Sequence, residues 1–223
     1  MDLRVKSNEY FAKYEVADLI NGGMDYLFIL ESPHKAEINN GYPVAGGSGR
    51  EMTKFIYPQK DNKPLGELVY NKEEYEEEYQ GLDKFSLMNT APAPMQANAL
   101  KDYDLASAEK RVVEILEKLR VNYEAKRHRK QAWNQVKEAL IDNFRLRLDH
   151  ILAQYQPNYL IPCGKLAQNY LQLVNDNLTN TVEIIADIPH PSRNQWHHYS
   201  SMNKLETLLA EDIFKITKEG DRE

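Results

Sequence analysis

The sequence predicts an α/β fold, a three-layer α/β/α domain on a four-stranded parallel central sheet. Three observations carry this expectation. Short continuous apolar runs, Tyr26-Leu27-Phe28-Ile29-Leu30 first among them, have the pattern of strands buried on both faces. Segments with helical apolar spacing separate these runs, and strands alternating with helices favour parallel pairing. The chain has 223 residues, 42% of them hydrophobic, enough to bury the core of one domain spanning residues 1–223.

Taken in order, residues 4–20 place Val5, Tyr10, Phe11, Tyr14, Val16 and Ile20 at roughly helical spacing, and Asn21-Gly22-Gly23 ends this lead-in helix. The first strand, Tyr26 to Leu30, runs straight into Glu31-Ser32-Pro33-His34. There Ser32 has the chemistry of an N-cap and Pro33 suits a first helical position. Ser48 and Glu51 have capping-box spacing, which predicts a second helix from about Gly49. The clustered carboxylates of Asn71 to Tyr79 read as a solvated face. Phe85 to Thr90 is a second strand, ended by Ala91-Pro92-Ala93-Pro94 because two prolines cannot continue a central ladder.

Residues 104–155 form a helical segment. Val112, Val113, Ile115, Leu116 and Leu119 give one apolar face and Ala139, Leu140, Phe144 and Leu148 another, so two helices hinged near 122–130 are expected. The hinge carries Lys126-Arg127-His128-Arg129-Lys130, read as a solvated helix end with a phosphate contact as the sharper alternative. Tyr159 to Gly164 is a third strand followed at once by a helix from Lys165. Thr181 to Asp187 is a fourth, leaving through Ile188-Pro189-His190-Pro191-Ser192-Arg193-Asn194, and a last amphipathic helix covers Ser200 to Lys218.

Several function classes fall away on composition. The single cysteine, Cys163, leaves no internal disulfide and no cysteine-bound zinc or iron–sulfur cluster, and is expected to be a small core residue in a reducing compartment. No apolar run is of spanning length and no charged-then-apolar leader is present, so a soluble cytoplasmic protein with no membrane partner is expected. A net charge of −6 argues mildly against non-specific polyanion binding, although binding follows where charges sit. Adjacent His197 and His198 face apart and read as surface, so no metal and no cofactor is expected. Gly46-Gly47-Ser48-Gly49 is not a nucleophile elbow, since Arg50 stands where that motif needs glycine.

In a parallel sheet the four strand ends, Glu31-Ser32-Pro33-His34, Met88-Asn89-Thr90-Ala91-Pro92, Pro162-Cys163-Gly164-Lys165 and Pro189-His190-Pro191-Ser192, lie along one edge, where ligands of open α/β sheets bind. In this pattern the chain resembles the uracil-DNA glycosylase superfamily, most closely its thermophile-type branch. That branch's Gly-Glu-Ala-Pro-Gly, continuing to Gly-x-Pro-Phe-Val-Gly-x-Ser/Ala-Gly, is similar to Leu30-Glu31-Ser32-Pro33-His34 and Gly41-Tyr42-Pro43-Val44-Ala45-Gly46-Gly47-Ser48-Gly49 in register. The superfamily's middle Asn motif looks like Leu87-Met88-Asn89-Thr90, its Gly-x-x-Ala-x-x-x-Leu element like Gly164 to Leu171, and its His-Pro-Ser motif like His190-Pro191-Ser192.

The resemblance implies a uracil-DNA glycosylase-like fold and a base-excising hydrolase of DNA repair, cleaving the N-glycosidic bond of uracil or another modified base. His190 would donate to the departing base, with Glu31 orienting water and Ser32 beside it as the catalytic group. Asn89 would read the amide edge of the base, held by Pro33, His34, Tyr42 and Val44. Gly46, Gly47, Ser48, Gly49, Ser192 and Arg193 would contact DNA phosphates once the nucleotide is flipped out. This sequence departs from the pattern in several places. Ser32 stands where other members carry a water-activating aspartate, Val44 where a stacking aromatic falls, and the branch's four cluster-binding cysteines are absent. Past His190-Pro191-Ser192, Trp196 is the first residue suited to wedge into a base stack. The alternative is a non-catalytic domain that binds a nucleobase, nucleotide or partner on the same fold.

Overall fold

The apolar runs pair as their pattern predicts. In the computed structural model, which describes residues 2–174, 182–193 and 195–220, Tyr26–Leu30 (β1), Phe85–Asn89 (β2), Tyr159–Pro162 (β3) and Glu183–Ile184 (β4) form one sheet in the order β2-β1-β3-β4. Every pairing is parallel. The register runs from Tyr26 opposite Phe85 to Leu30 opposite Asn89 on one side of β1, and from Tyr26 opposite Tyr159 to Ile29 opposite Pro162 on the other. From β1 the chain first moves to β2 on one side and then to β3 on the other. The carboxyl ends of β1 and β3 therefore flank the switch point of the sheet.

Period-two alternation divides the core into two layers. Leu27 and Ile29 of β1 turn to one face with Met88 and Leu160. There they pack on Leu3–Lys13 (α1), Ser107–Val121 (α6), Gln131–Tyr155 (α7) and Lys165–Val174 (α8). Tyr26, Phe28 and Leu30 turn to the other face with Phe85, Leu87 and Ile161, under Gly47–Ile56 (α3), Leu65–Tyr70 (α4) and Met202–Gly220 (α9). Two short helices, Lys35–Asn40 (α2) and Lys72–Tyr75 (α5), complete the set. The result is an α/β architecture with helices on both faces of a parallel sheet.

Local competition decided the elements that differ from expectation. The lead-in helix ends at Lys13, because the following residues pair with the outer edge of β2 instead. Leu19 and Leu87 exchange backbone hydrogen bonds of 2.8 Å each, and the Asn21 side chain donates to the carbonyl of Phe85 at 2.8 Å. An edge strand with unpaired N–H and C=O groups is thereby covered. Neither serine caps a helix. α2 begins at Lys35 after His34, whose N–H donates to Glu37, and α3 begins at Gly47, which places Ser48 inside the helix. Leu65–Tyr70 was not expected as a helix, and Tyr79, placed in an acidic surface run, is fully buried. The fourth strand is only Glu183–Ile184, while Thr181 and Asn194 lie outside the described residues. The two helices and basic connection expected over 104–155 are present.

Candidate functional site

β1 lies between β2 and β3, and its exit is tied to that of β2. Thr90 N–H donates to the Leu30 carbonyl at 2.9 Å and Ala91 N–H to that of Glu31 at 3.0 Å, which keeps the exits of β1 and β2 side by side. The organiser of this edge is a residue that sequence reasoning missed, Glu37, which is 9% exposed. Its carboxylate accepts from His34 N–H at 2.7 Å, Val44 N–H at 2.8 Å and the Asn89 side-chain amide at 3.3 Å. One buried anion thus ties both arms of the glycine-rich loop to the end of β2. Burial pushes Glu37 above the ordinary carboxylate range, against the pull of its three N–H donors. A glutamate three residues after the capping residue was the available signal.

Asn89 is 1% exposed, and its backbone end is fixed by a second residue that the sequence did not single out. Arg147 of α7 grips both oxygens of Asp18 at 2.7 and 2.8 Å. The same guanidinium donates to the carbonyls of Asn89 at 2.8 Å and Thr90 at 2.9 Å. Because Glu37 offers only acceptors, the Asn89 amide must turn its Nδ2 toward it. Asn89 Oδ1 is then a buried acceptor with no partner among the described residues. An orphaned buried amide oxygen costs free energy unless a donor reaches it.

The His190 loop is held by its carbonyls, as a segment with two prolines requires. Ile188 accepts from Gly164 N–H at 2.8 Å and from Gln168 at 2.9 Å, Pro189 accepts from the Trp196 indole at 2.8 Å, and His190 accepts from Ser192 N–H at 2.8 Å. Gly164 has φ of +92°, and a Cβ there would lie 3.1 Å from that of His190, so the exit of β3 needs glycine to let the loop approach. Trp196 is 1% exposed, sandwiched against Phe28 and Phe55. It is a core residue, not a wedge, because its ring fills the layer of Tyr26, Phe28 and Leu30 and its N–H is used on Pro189.

Glu31 is half-buried and ion-paired with Arg120 at the end of α6. Burial holds His190 below the ordinary histidine range; Glu31 pulls it up and Arg120 pushes it further down. His190 is therefore neutral at neutral pH, with an N–H to donate. The sign follows: its contribution to stability is full above the ordinary histidine value and is lost as pH falls through the depressed one. We expect an NMR titration of His190 with a midpoint below about 6.5 that moves up in Arg120→Met, where a repelling cation is gone and Glu31 is freed. A midpoint that falls in that variant would contradict the arrangement.

The remaining expected residues divide. Ser32 and Ser48 are half-buried, Pro33 is buried and His34 exposed; Gly46 and Ser192 are half-buried, and Gly47 and Arg193 exposed, with Arg193 at φ of +56°. Tyr42 does not face the strand ends as a free ring, since it stacks on Tyr70 at 4.8 Å. Val44 is buried at φ of +46°, a conformation strained for a β-branched side chain. Gly49 is buried against the Val44 carbonyl, so packing is what requires glycine there. Cys163 is fully buried with its thiol pushed up by burial, and His197 packs its ring against Phe55. Among the described residues no group of three or more His, Cys, Asp or Glu side chains is arranged to hold a metal ion, and no helix is long and apolar enough to cross a membrane. Comparison of the chain with protein-family models and with curated proteins found no match.

Proposed function

We propose that the chain is a uracil-DNA glycosylase-like hydrolase that holds a flipped nucleobase at the carboxyl ends of β1 and β2 and cleaves its N-glycosidic bond. The observation that carries this reading is Asn89, a buried amide with Nδ2 anchored on Glu37 and Oδ1 unpartnered. An imide edge of a pyrimidine supplies the ring N–H that Oδ1 lacks, and the second Nδ2 hydrogen suits the neighbouring carbonyl oxygen. In the reaction the bond from C1′ to the base nitrogen breaks with its electron pair going to the base. Water adds its oxygen to C1′, and its proton ends on the base. Neutral His190 supports the developing negative charge by donating to a base oxygen, a role that needs no proton transfer. On this reading Glu31, which is ion-paired with Arg120, would orient the water.

A second reading, a binding domain that does not cleave, is favoured by two contacts. Arg120 engages the carboxylate that would orient water, and Tyr42 is spent on Tyr70 while Val44 offers no ring for stacking. The deciding experiment incubates the purified chain with single- and double-stranded oligonucleotides carrying uracil, hypoxanthine or a mismatch and scores abasic sites. We expect cleavage of at least one substrate and a fall of about a hundredfold or more in His190→Ala, the scale for losing one preorganised donor. Wild-type protein that binds a modified oligonucleotide yet leaves no abasic site assigns the second reading. Protein that neither binds nor cleaves any of them rejects both.

A further inference from the structure

A separate cavity of about 990 Å3 lies where the connection after α6 meets the start of α7, and no strand-end residue lines it. Of its charged residues, Asp2 caps α1 through its bonds to Arg4 N–H and Val5 N–H, and the Arg4 side chain is paired with Asp142 at 2.5 Å. Besides these, Lys126, Arg127, Arg129 and Lys137 line the cavity, and its carboxylates are Asp2 and Glu138, in a chain whose net charge is −6. Among the described residues Lys126, Arg127 and Arg129 make no ion pair. Cations on an acidic protein usually find carboxylates; these do not.

The connection is also built rather than loose. Asn134 clamps it with two hydrogen bonds, accepting from His128 N–H at 2.8 Å and donating to the His128 carbonyl at 2.9 Å. Lys137, 3% exposed, donates to the Ala125 carbonyl at 2.5 Å, and the His128 ring meets Trp133 edge-on at 5.3 Å. The His128 Nε2 atom is buried with no hydrogen-bond partner among the described residues. A rigid loop that presents unpaired cations, over the first turn of a 25-residue helix without an acidic residue in that turn, has the components of an anion site. Burial lowers both Lys137 and His128, and the Lys137 charge lowers His128 further, shifts that a bound anion would reverse.

We infer that this cavity is a binding site for clustered phosphate groups, whether adjacent phosphodiesters of a nucleic acid strand or a free polyphosphate chain. The inference stands apart from the base-binding reading, since the two share no residue. The test titrates the full chain with tripolyphosphate and with a short unmodified single-stranded oligonucleotide, following amide shifts of residues 125–138 and affinity by calorimetry. The combined variant Lys126→Glu, Arg127→Glu, Arg129→Glu changes only exposed side chains, and circular dichroism checks that it folds. We expect tripolyphosphate to shift these amides and to bind at least about tenfold more weakly to the variant. If the oligonucleotide competes for the site, the slope of its log affinity against log salt falls by about 2 in the variant, and the source is nucleic acid. Tripolyphosphate binding that the oligonucleotide does not displace keeps the phosphate site and assigns it to a free polyphosphate. Undisturbed amides with both probes, or equal affinity in the variant, overturns the proposal.

Discussion

Gly49→Ala is expected to destabilise the protein by about 3 kcal/mol or more, while Gly47→Ala, two residues earlier in the same helix, is neutral or stabilises by up to about 1 kcal/mol. A Cβ on Gly49 would lie 1.8 Å from the Val44 carbonyl oxygen, 2.9 Å from its carbon and 3.1 Å from Leu65 N, all backbone atoms that no side-chain rotation can clear. A Cβ on Gly47 meets nothing within 4 Å. There the substitution only removes the conformational freedom that glycine loses on folding. Gly66 of α4 closes the clamp from the other side, since its added Cβ would stand 2.0 Å from the Pro43 carbonyl oxygen. The backbone on either side of Val44 is thus pressed between α3 and α4, and that pressure holds Val44 in its strained conformation. Urea unfolding of the two alanine variants reads the result as midpoints at unchanged slope. Equal effects at positions 47 and 49 would mean that close approach is not why glycine stands there.

Glu37→Ala is expected to cost at least about 3 kcal/mol, since it strips the acceptor from the buried Val44 N–H and Asn89 amide and from His34 N–H, and each orphaned buried donor costs about 1–3 kcal/mol. Glu37→Gln keeps one acceptor oxygen but sets an NH2 group against donors, so its loss is smaller. The pH dependence separates charge from shape. With the folded-state value of Glu37 raised by burial, its contribution is full below the ordinary carboxylate range and declines as pH rises through the raised value. The stability gap between wild type and Glu37→Gln should therefore narrow from the acid range to neutral pH, and a widening gap would refute the raised value. Both variants also release the Asn89 amide to turn over. On the proposed base-binding reading, the oligonucleotide affinity of Glu37→Gln, measured well below the unfolding midpoint, should fall.

The two predictions concern residues of very different legibility. Gly49 stood out as part of Gly46-Gly47-Ser48-Gly49, yet the reason offered, room for a phosphate, differs from what the packing demands. A glycine run announces that the backbone must be approached closely and leaves open by what. Glu37 was not singled out, because a glutamate on a short helix reads as solvated surface until its neighbours are known. Arg120 and Arg147 are further removed, since their partners Glu31 and Asp18 lie 89 and 129 residues away along the chain. Trp196 erred in the opposite direction. A large ring after a polar loop looked available for insertion, but Phe28 and Phe55 already enclose it.

By itself the sequence determined the α/β class, the parallel four-stranded sheet and the gathering of Glu31, Asn89, Gly164 and His190 at one edge. Each of these follows from local patterns: continuous apolar runs, alternation with helices, and turn residues at strand exits. Only the tertiary structure decided which of those side chains remain available for a ligand. Availability depends on partners distant in the chain, on Glu37 holding one end of the Asn89 amide, Arg120 engaging Glu31 and Tyr70 taking Tyr42. The pattern along a strand sets which way a residue points, whereas hydrogen bonds and charges brought together by folding set what it is free to do.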